Sequence, residues 1–485
     1  MFYRITATLS FQRNMPLFCV DSIGYQQDKF SWGDRGGNME LVRHLRTIAA
    51  ILLASILLAA CGGSAPAAPA ANEAPAAPAA TEAPATSDAP DAEAPAEAEA
   101  EPTEATEASS GGDEPFIFGM ILVGPINDSG WNESHYAAGK YVESKVPGAQ
   151  MIYIDKVNSA DRPNITVQQV IDDLIGQGAK FIIANSDDFK DGTLEAAKAN
   201  PDISFLHASG DSVLAGTAPE NLGNLMGQIE YGKIISGCAA ALQTQTGKIS
   251  YLGPLINDET RRLVNATYLG ARYCWENVVG KPAEELQFNV TWIGFWFNIP
   301  GVTLDPTNVA NDMITAGSDV IVSGLDTTEA LVEANKATQA GKAISAVAND
   351  FDKGCVQAEA ICLGSPYINW GPDYVKQISA ARAGTWKAGW DWVGPNWADM
   401  NNLDTSAVGW TYGQGLDAEK TAKLDEFIKS LADKSLNLYT GPLNFQDGSV
   451  YLAEGETLEL SDMEQAKKIW YTPQLLEGIE GQSAP

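Results

Sequence analysis

The chain has 485 residues, 45% of them hydrophobic, and a formal net charge of -31 at pH 7. That length allows two or three domains with sizeable cores. The acidic balance argues against nucleic acid as a partner, because phosphate binding needs a basic surface, and against adsorption of the folded body to anionic lipid.

Signals for catalysis are missing too. The only histidines are His44, His135 and His207. No HExxH motif, zinc-spaced Cys/His cluster, GxSxG elbow or GxxxxGK[ST] loop occurs, so no catalytic residue, metal or cofactor is expected. Gly413-Gln-Gly415 hints at a dinucleotide loop but follows no apolar strand.

In chain order, residues 1–38 are polar and aromatic, and Met39 stands where a leader should begin. We expect translation to start there and 1–38 to be an over-extended gene start. Arg43, His44 and Arg46 precede the apolar run 48–60, which ends in Leu58-Ala-Ala-Cys61. A charged region, a short apolar region and small residues before the cut mark 39–60 as a signal peptide, too short to span a bilayer comfortably. The ending resembles the bacterial lipobox, which predicts a lipid on Cys61 and an extracytoplasmic, membrane-anchored protein.

Residues 61–114 then supply Ala, Pro, Glu, Thr and Ser with no aromatic and no basic side chain. Such a stretch cannot bury enough apolar surface to offset chain entropy and is expected to be a disordered acidic tether. Its reach as a coil is on the order of 40 Å.

From 115 onward, strand-like runs alternate with helix-like segments. The expected strands are 116–123, 149–154, 180–184, 204–208, 248–253, 285–293, 320–323 and 343–348. The helices between them are 134–146, 167–177, 192–200, 258–276, 308–316 and 328–340, with a long amphipathic stretch at 226–243. Later strands are expected at 360–363 and 449–452, and a helix at 418–434. Two runs of strand–helix units predict an α/β protein with two Rossmann-like parallel-sheet lobes. We place them at 115–245 and 246–358, with 359–485 returning to the first lobe through a hinge crossing. Ligands of such folds sit at the carboxyl ends of strands and in the cleft between lobes. The turn after the first strand, Asn127-Asp-Ser-Gly-Trp131, is therefore a candidate wall, and Asp128 or Ser129 a candidate cap of the helix that follows.

Cys238, Cys274, Cys355 and Cys362 remain after Cys61 in the mature region. Export permits oxidation. Cys355 and Cys362 are close enough in sequence for a short-loop disulfide. Cys238 and Cys274 lie in helical stretches and are expected as buried free thiols.

Several segments together carry a family likeness. They are Gly124-Pro-Ile-Asn-Asp-Ser-Gly-Trp131, Asn200-Pro-Asp-Ile-Ser-Phe-Leu-His-Ala-Ser-Gly210, Gly223-Asn-Leu-Met-Gly-Gln228, Thr246-Gly-Lys-Ile-Ser-Tyr-Leu-Gly253 and Ala316-Gly-Ser-Asp-Val-Ile321. In this order and spacing the body resembles the basic membrane protein family of substrate-binding lipoproteins, which includes purine-nucleoside receptors of ABC importers. The resemblance implies a type I periplasmic-binding-protein fold, ABC permease subunits as partners, and a purine nucleoside or nucleobase as ligand. A monomer is expected. A sensory receptor of the same fold, binding another flat heterocycle, is the alternative.

The resemblance also assigns roles. Trp131 and Trp296 match the two aromatics that sandwich the base, Asp191 the base-edge carboxylate, and Asp350 a carboxylate for ribose hydroxyls. Asn298 stands where an Asp is common. His135, within a turn of Trp131, and Asp326, at a strand end, are further candidates, as is Asp128 in the loop itself. The family's usual Lys after the last crossover strand is absent from Ser365-Pro-Tyr-Ile-Asn-Trp370. A free base is therefore as well matched as a nucleoside.

Overall fold

The computed structural model describes residues 114–485. The expected start at Met39, the leader, Cys61 and the tether lie outside the described residues.

The first lobe opens with β1 (Phe116–Ile121), α1 (Trp131–Lys145), β2 (Ala149–Ile154) and α2 (Val167–Gly176). It continues with β3 (Phe181–Ala184), α3 (Lys190–Ala199), β4 (Ser204–Ala208) and β5 (Leu222–Gly227). β1 and β3 are mostly buried apolar residues, as strands covered on both faces must be. A helix α4 (Glu230–Gln243) leads out of this lobe.

The second lobe repeats the scheme. Its elements are β6 (Lys248–Gly253), α5 (Asp258–Cys274), β7 (Gln287–Trp292), α6 (Pro306–Thr315), β8 (Val320–Ser323), α7 (Glu329–Gln339) and β9 (Ser345–Val347). The chain then makes β10 (Gly364–Ile368), α8 (Gly371–Arg382), β11 (Trp390–Val393), β12 (Val408–Tyr412) and α9 (Ala418–Ala432). It finishes with β13 (Leu443–Asn444), β14 (Val450–Leu452), α10 (Met463–Trp470) and β15 (Ile479–Glu480).

The strands form a six-stranded sheet ordered β11-β5-β4-β3-β1-β2 and a five-stranded sheet ordered β15-β7-β6-β8-β9. Every pairing within both is parallel. The antiparallel pair β10–β12 belongs to neither. The chain therefore passes between sheets after β5, again between β9 and β11, and finally before β15. That last strand adds the C-terminus to the second sheet, beside β7.

α4 and α5 pack along each other at the junction, and one apolar core runs from the first sheet through them to β6 and β7. A second cluster lies under α6 and α7. Inside the junction Arg262 donates to Glu230 at 2.7 Å, both side chains essentially without solvent contact. Arg262 also lies 3.9 Å from the Trp470 ring centroid.

Three local expectations change. The stretch 226–243 is not one amphipathic element: β5 ends at Gly227 and α4 starts at Glu230, buried on nearly every side. β5 contains Gly223, Asn224 and Gly227, poor strand formers, and exists because β4 and β11 flank it. The strand expected at 360–363 is reduced to a turn and a single parallel bridge of Cys362 with Ala346, and the continuous strand begins at Gly364. Cys238 and Cys274 are not free thiols. They form a disulfide that ties α4 to the end of α5. Cys355 and Cys362 are joined as well, closing the loop before β10.

Candidate functional site

Both sheets have a switch point where neighbouring strands lead off in opposite directions, between β1 and β3 in the first and between β6 and β8 in the second. Open α/β sheets bind ligands outside the carboxyl ends of strands at such points. Here the loops from both switch points line one cavity. The first lobe supplies Trp131 after β1, Ser186 and Asp187 after β3, and Ser209 after β4. The second supplies Pro254 and Glu259 after β6, Trp296 after β7, Asp326 after β8, and Asn349 and Asp350 after β9. Met226, Ile229 and Leu263 form apolar wall, and Lys233 enters from α4.

The loop that presents Trp131 is held rigidly. Asp128 accepts from the backbone N–H groups of Gly130, Asn132 and Glu133 at 2.9–3.0 Å and from the Asn132 side chain at 2.7 Å. It thus satisfies the first-turn N–H groups of α1 from two residues before the N-cap Gly130, with its acceptor capacity used inside the loop. Burial raises its carboxyl and these bonds partly offset that. Asn132 in turn accepts from Gly124 N–H and from Asn185, whose carbonyl accepts the Trp131 indole N–H at 2.5 Å. Asp128 holds the loop and does not line the cavity.

Behind Trp131 sits His135, fully buried. It stacks on Trp370 with ring centroids 4.2 Å apart, meets Trp131 edge-on at 4.7 Å, and shares a 2.7 Å hydrogen bond between Nδ1 and the Tyr374 hydroxyl. Burial holds its imidazole well below the usual pKa, hence neutral. His135 supports the Trp131 wall from outside the cavity.

Two more expected residues fall elsewhere. Asp191 is exposed in the first turn of α3 and is not on the cavity. A 3-10 turn, Asp187–Phe189, intervenes after β3 and presents Asp187 to the cleft in its place. Asn298 accepts from Thr303 at 3.1 Å within the loop after β7, outside the cavity. Of the eight expected ligand residues, Trp131, Trp296, Asp326 and Asp350 are brought together on it.

The cavity is rich in acid. Asp187, Glu259, Asp326 and Asp350 face one cation, Lys233. Desolvation pushes the Glu259 carboxyl up to about 8, against the pull of Arg262. Burial also holds Asp326 well above the carboxylate range, reinforced by Asp128, Asp350 and Glu259 nearby. Asp350 is raised by burial as well, with Lys233 and a hydrogen bond from Asn349 opposing. The Lys233 ammonium donates to the Asn349 side chain and to the Ser323 carbonyl, and burial lowers its pKa.

Lys233, Glu259 and Asp187 were not singled out in the sequence. Lys233 alone left a trace, as a charge inside the otherwise apolar stretch Gly232 to Leu242. It also places a cation at the site although none follows β10. Glu259 reads as an ordinary acid in a helix first turn.

Backbone geometry adds to this picture. Ser209 and Asp350, both on the cavity, have φ of 62° and 54°, and Ser129 in the Trp131 loop has 57°. Left-handed backbone at non-glycine residues is costly and concentrates at ligand sites. The lobes also touch here. Asn257, the cap of α5, donates to Asp187 at 3.1 Å, and Gly130 packs on the Asp326 carbonyl. Among the described residues no group of His, Cys, Asp and Glu is arranged to hold a metal, and no helix is long and apolar enough to cross a membrane.

A family model for PnrA-like ABC transporter substrate-binding proteins matches residues 117–397. The chain is 26% identical over 345 residues to a purine-binding protein of Brucella abortus (strain 2308), covering 71% of this chain and 89% of that one. A solved solute-binding protein of an ABC transporter system from Aeropyrum pernix K1 superposes with a TM-score of 0.53 at 12% identity. That match covers 68% of this chain and 93% of the other and shows the periplasmic-binding-protein fold expected from the sequence.

Proposed function

The chain belongs to the PnrA-like family of ABC transporter substrate-binding proteins, and we propose that it captures a purine base or nucleoside outside the cytoplasm for an ABC importer. Members of this family bind and hand over a solute; they are not enzymes. The observation that carries the ligand class is the pairing of Trp131 and Trp296 on one cavity, with carboxylates around it. Aromatic faces stack any base, contributing roughly 1–3 kcal/mol each, and carboxyl groups accept from ring and exocyclic N–H groups. The purine-binding relative from Brucella abortus supports the same class.

In this reading the base lies between Trp131 of the first lobe and Trp296 of the second, so capture and lobe closure are one event. Leu58-Ala-Ala-Cys61 supports a lipid anchor, with the acidic stretch after it as the tether. The receptor works as a monomer and presents its closed form to the permease.

The test is direct. Protein spanning residues 115–485 is purified and denatured, and any released small molecule is identified by mass spectrometry. Calorimetry against adenine, adenosine, guanosine and inosine follows. At least one should bind at micromolar strength or better, about -8 kcal/mol. If none binds and none raises the melting temperature at saturation, the purine reading is wrong.

A further inference from the structure

Glu259 differs from the other cavity carboxylates in its surroundings. It is only 8% exposed, and its Oε2 atom is buried without a hydrogen-bond partner. Asp350, by contrast, accepts from Asn349 at 2.6 Å, and Asp187 accepts from Asn257 at 3.1 Å. A buried polar oxygen left open on a cavity wall loses its water without replacement unless a ligand supplies the bond. Pro254 and Leu263 line the same cavity.

We propose that Glu259 is a specificity-determining residue that holds the ligand's edge through paired hydrogen bonds, its carboxyl O–H donating to a ring acceptor and its carbonyl oxygen accepting an adjacent N–H. The inference rests on the purine reading above. The ligand class it names is a heterocycle with a donor and an acceptor side by side, such as the amino and ring nitrogens of adenine or the N–H and C=O of hypoxanthine. Such a contact needs the neutral acid, because a carboxylate has no proton to donate.

The neighbourhood favours that form. Around Glu259 stand the acids Asp187, Asp326, Asp350 and Glu230 and the cations Arg262 and Lys233. Arg262 donates its Nε–H to Glu230, and Lys233 donates to Asn349 and Ser323; neither hydrogen-bonds the Glu259 Oε2 atom, although the Arg262 Nη2 atom is also buried without a partner and its charge opposes the rise. Desolvation dominates, and the carboxyl titrates at about 8. The N-terminus of α5 would favour the anion, but Asn257 caps it, accepting from Thr260 N–H at 2.9 Å.

The experiment compares wild type, Glu259→Gln and Glu259→Ala for adenine and hypoxanthine binding by calorimetry at pH 7 and pH 9, with circular dichroism as the folding control. Glutamine keeps one donor and one acceptor; alanine keeps neither. At pH 7 Glu259→Ala should bind at least about tenfold more weakly than wild type, and Glu259→Gln should restore most of that loss. Wild-type affinity should fall about tenfold from pH 7 to pH 9 relative to Glu259→Gln, whose side chain does not titrate. If Glu259→Gln is as weak as Glu259→Ala, or if wild type binds no more weakly at pH 9 relative to Glu259→Gln, an ionised Glu259 or none is used and the inference is overturned. If wild type binds neither base nor any nucleoside, the purine reading itself fails and this inference falls with it.

Discussion

Trp131 shows how much support one side chain needs. Its indole is fixed from below by the Asn185 carbonyl and from behind by His135 and Trp370. Trp131→Ala should therefore remove stacking without reshaping the loop, weakening purine binding by about 1–3 kcal/mol. Calorimetry on the variant checks this; unchanged affinity would remove Trp131 from the site. Asp326 makes the opposite trade, since it weakens the empty protein. Its folded pKa lies well above the unfolded value of 3.8. Between those two values the folded state holds a proton that the unfolded chain releases, so stability falls as pH rises through that window. At pH 7.5 Asp326→Asn should stabilise the ligand-free protein by at least about 1 kcal/mol, the worth of one displaced pKa unit. Thermal melts at pH 3.5, pH 5 and pH 7.5 should show the variant's advantage growing with pH.

Among elements, the α4–α5 pair sets the junction of the lobes. Gly237 and Gly270 let the backbones meet: an added Cβ would lie 1.8 Å from the Thr267 carbonyl oxygen and 1.9 Å from that of Ile234. Gly237→Ala must push the helices apart and should cost about 1–3 kcal/mol or more in denaturant unfolding. The Cys238–Cys274 disulfide closes a loop of sequence separation 36 across the same pair. Replacing both cysteines with serine should lower unfolding stability by about 2–4 kcal/mol while leaving the cavity residues in place. A double-serine protein as stable as the parent would mean that helix packing alone holds the pair. Buried Glu230 and Arg262 act in the same junction. Removing either alone would leave a charge in the core without its partner.

For the molecule as a whole, closure is the property that matters. The Asp187–Asn257 bond and the contact of Gly130 with Asp326 both join the lobes directly over the cavity. A Cβ at residue 130 would stand 2.0 Å from the Asp326 carbonyl oxygen. Gly130→Ala should block full closure and weaken purine binding by about tenfold or more, because the second wall cannot then reach the base. The ligand-free melting temperature should change little, since the substitution leaves the shared apolar core untouched. Small-angle scattering at saturating purine should show a more extended particle for the variant than for the parent. Equal dimensions would show that the lobes close without this contact.

Much of this was legible along the chain. Alternating apolar runs and helical segments determine two parallel-sheet lobes, because only parallel strands covered on both faces read that way. The turn Asn127 to Trp131 marks one wall of the cleft, and the strand-end position of Asp326 marks the other, since ligands meet such sheets at their carboxyl ends; Asp350 was pointed to by the family likeness. The short strands β5 and β11 were not legible. β5 carries Gly223, Asn224 and Gly227, and β11 is only four residues long, so pairing with neighbours distant in sequence is what makes them strands. The same holds for the site's electrostatics. Asp187 replaces Asp191 on the cavity because a 3-10 turn shifts the helix start. Lys233 and Glu259 look like ordinary helix residues until α4 and α5 cross beneath the cleft. Sequence alone determined the layers, through local pattern, and the two tryptophans on the cavity were pointed to by the family likeness. Which charges face the ligand, and which of them give up ionisation, was decided only by tertiary packing, because desolvation depends on everything that surrounds a group in space.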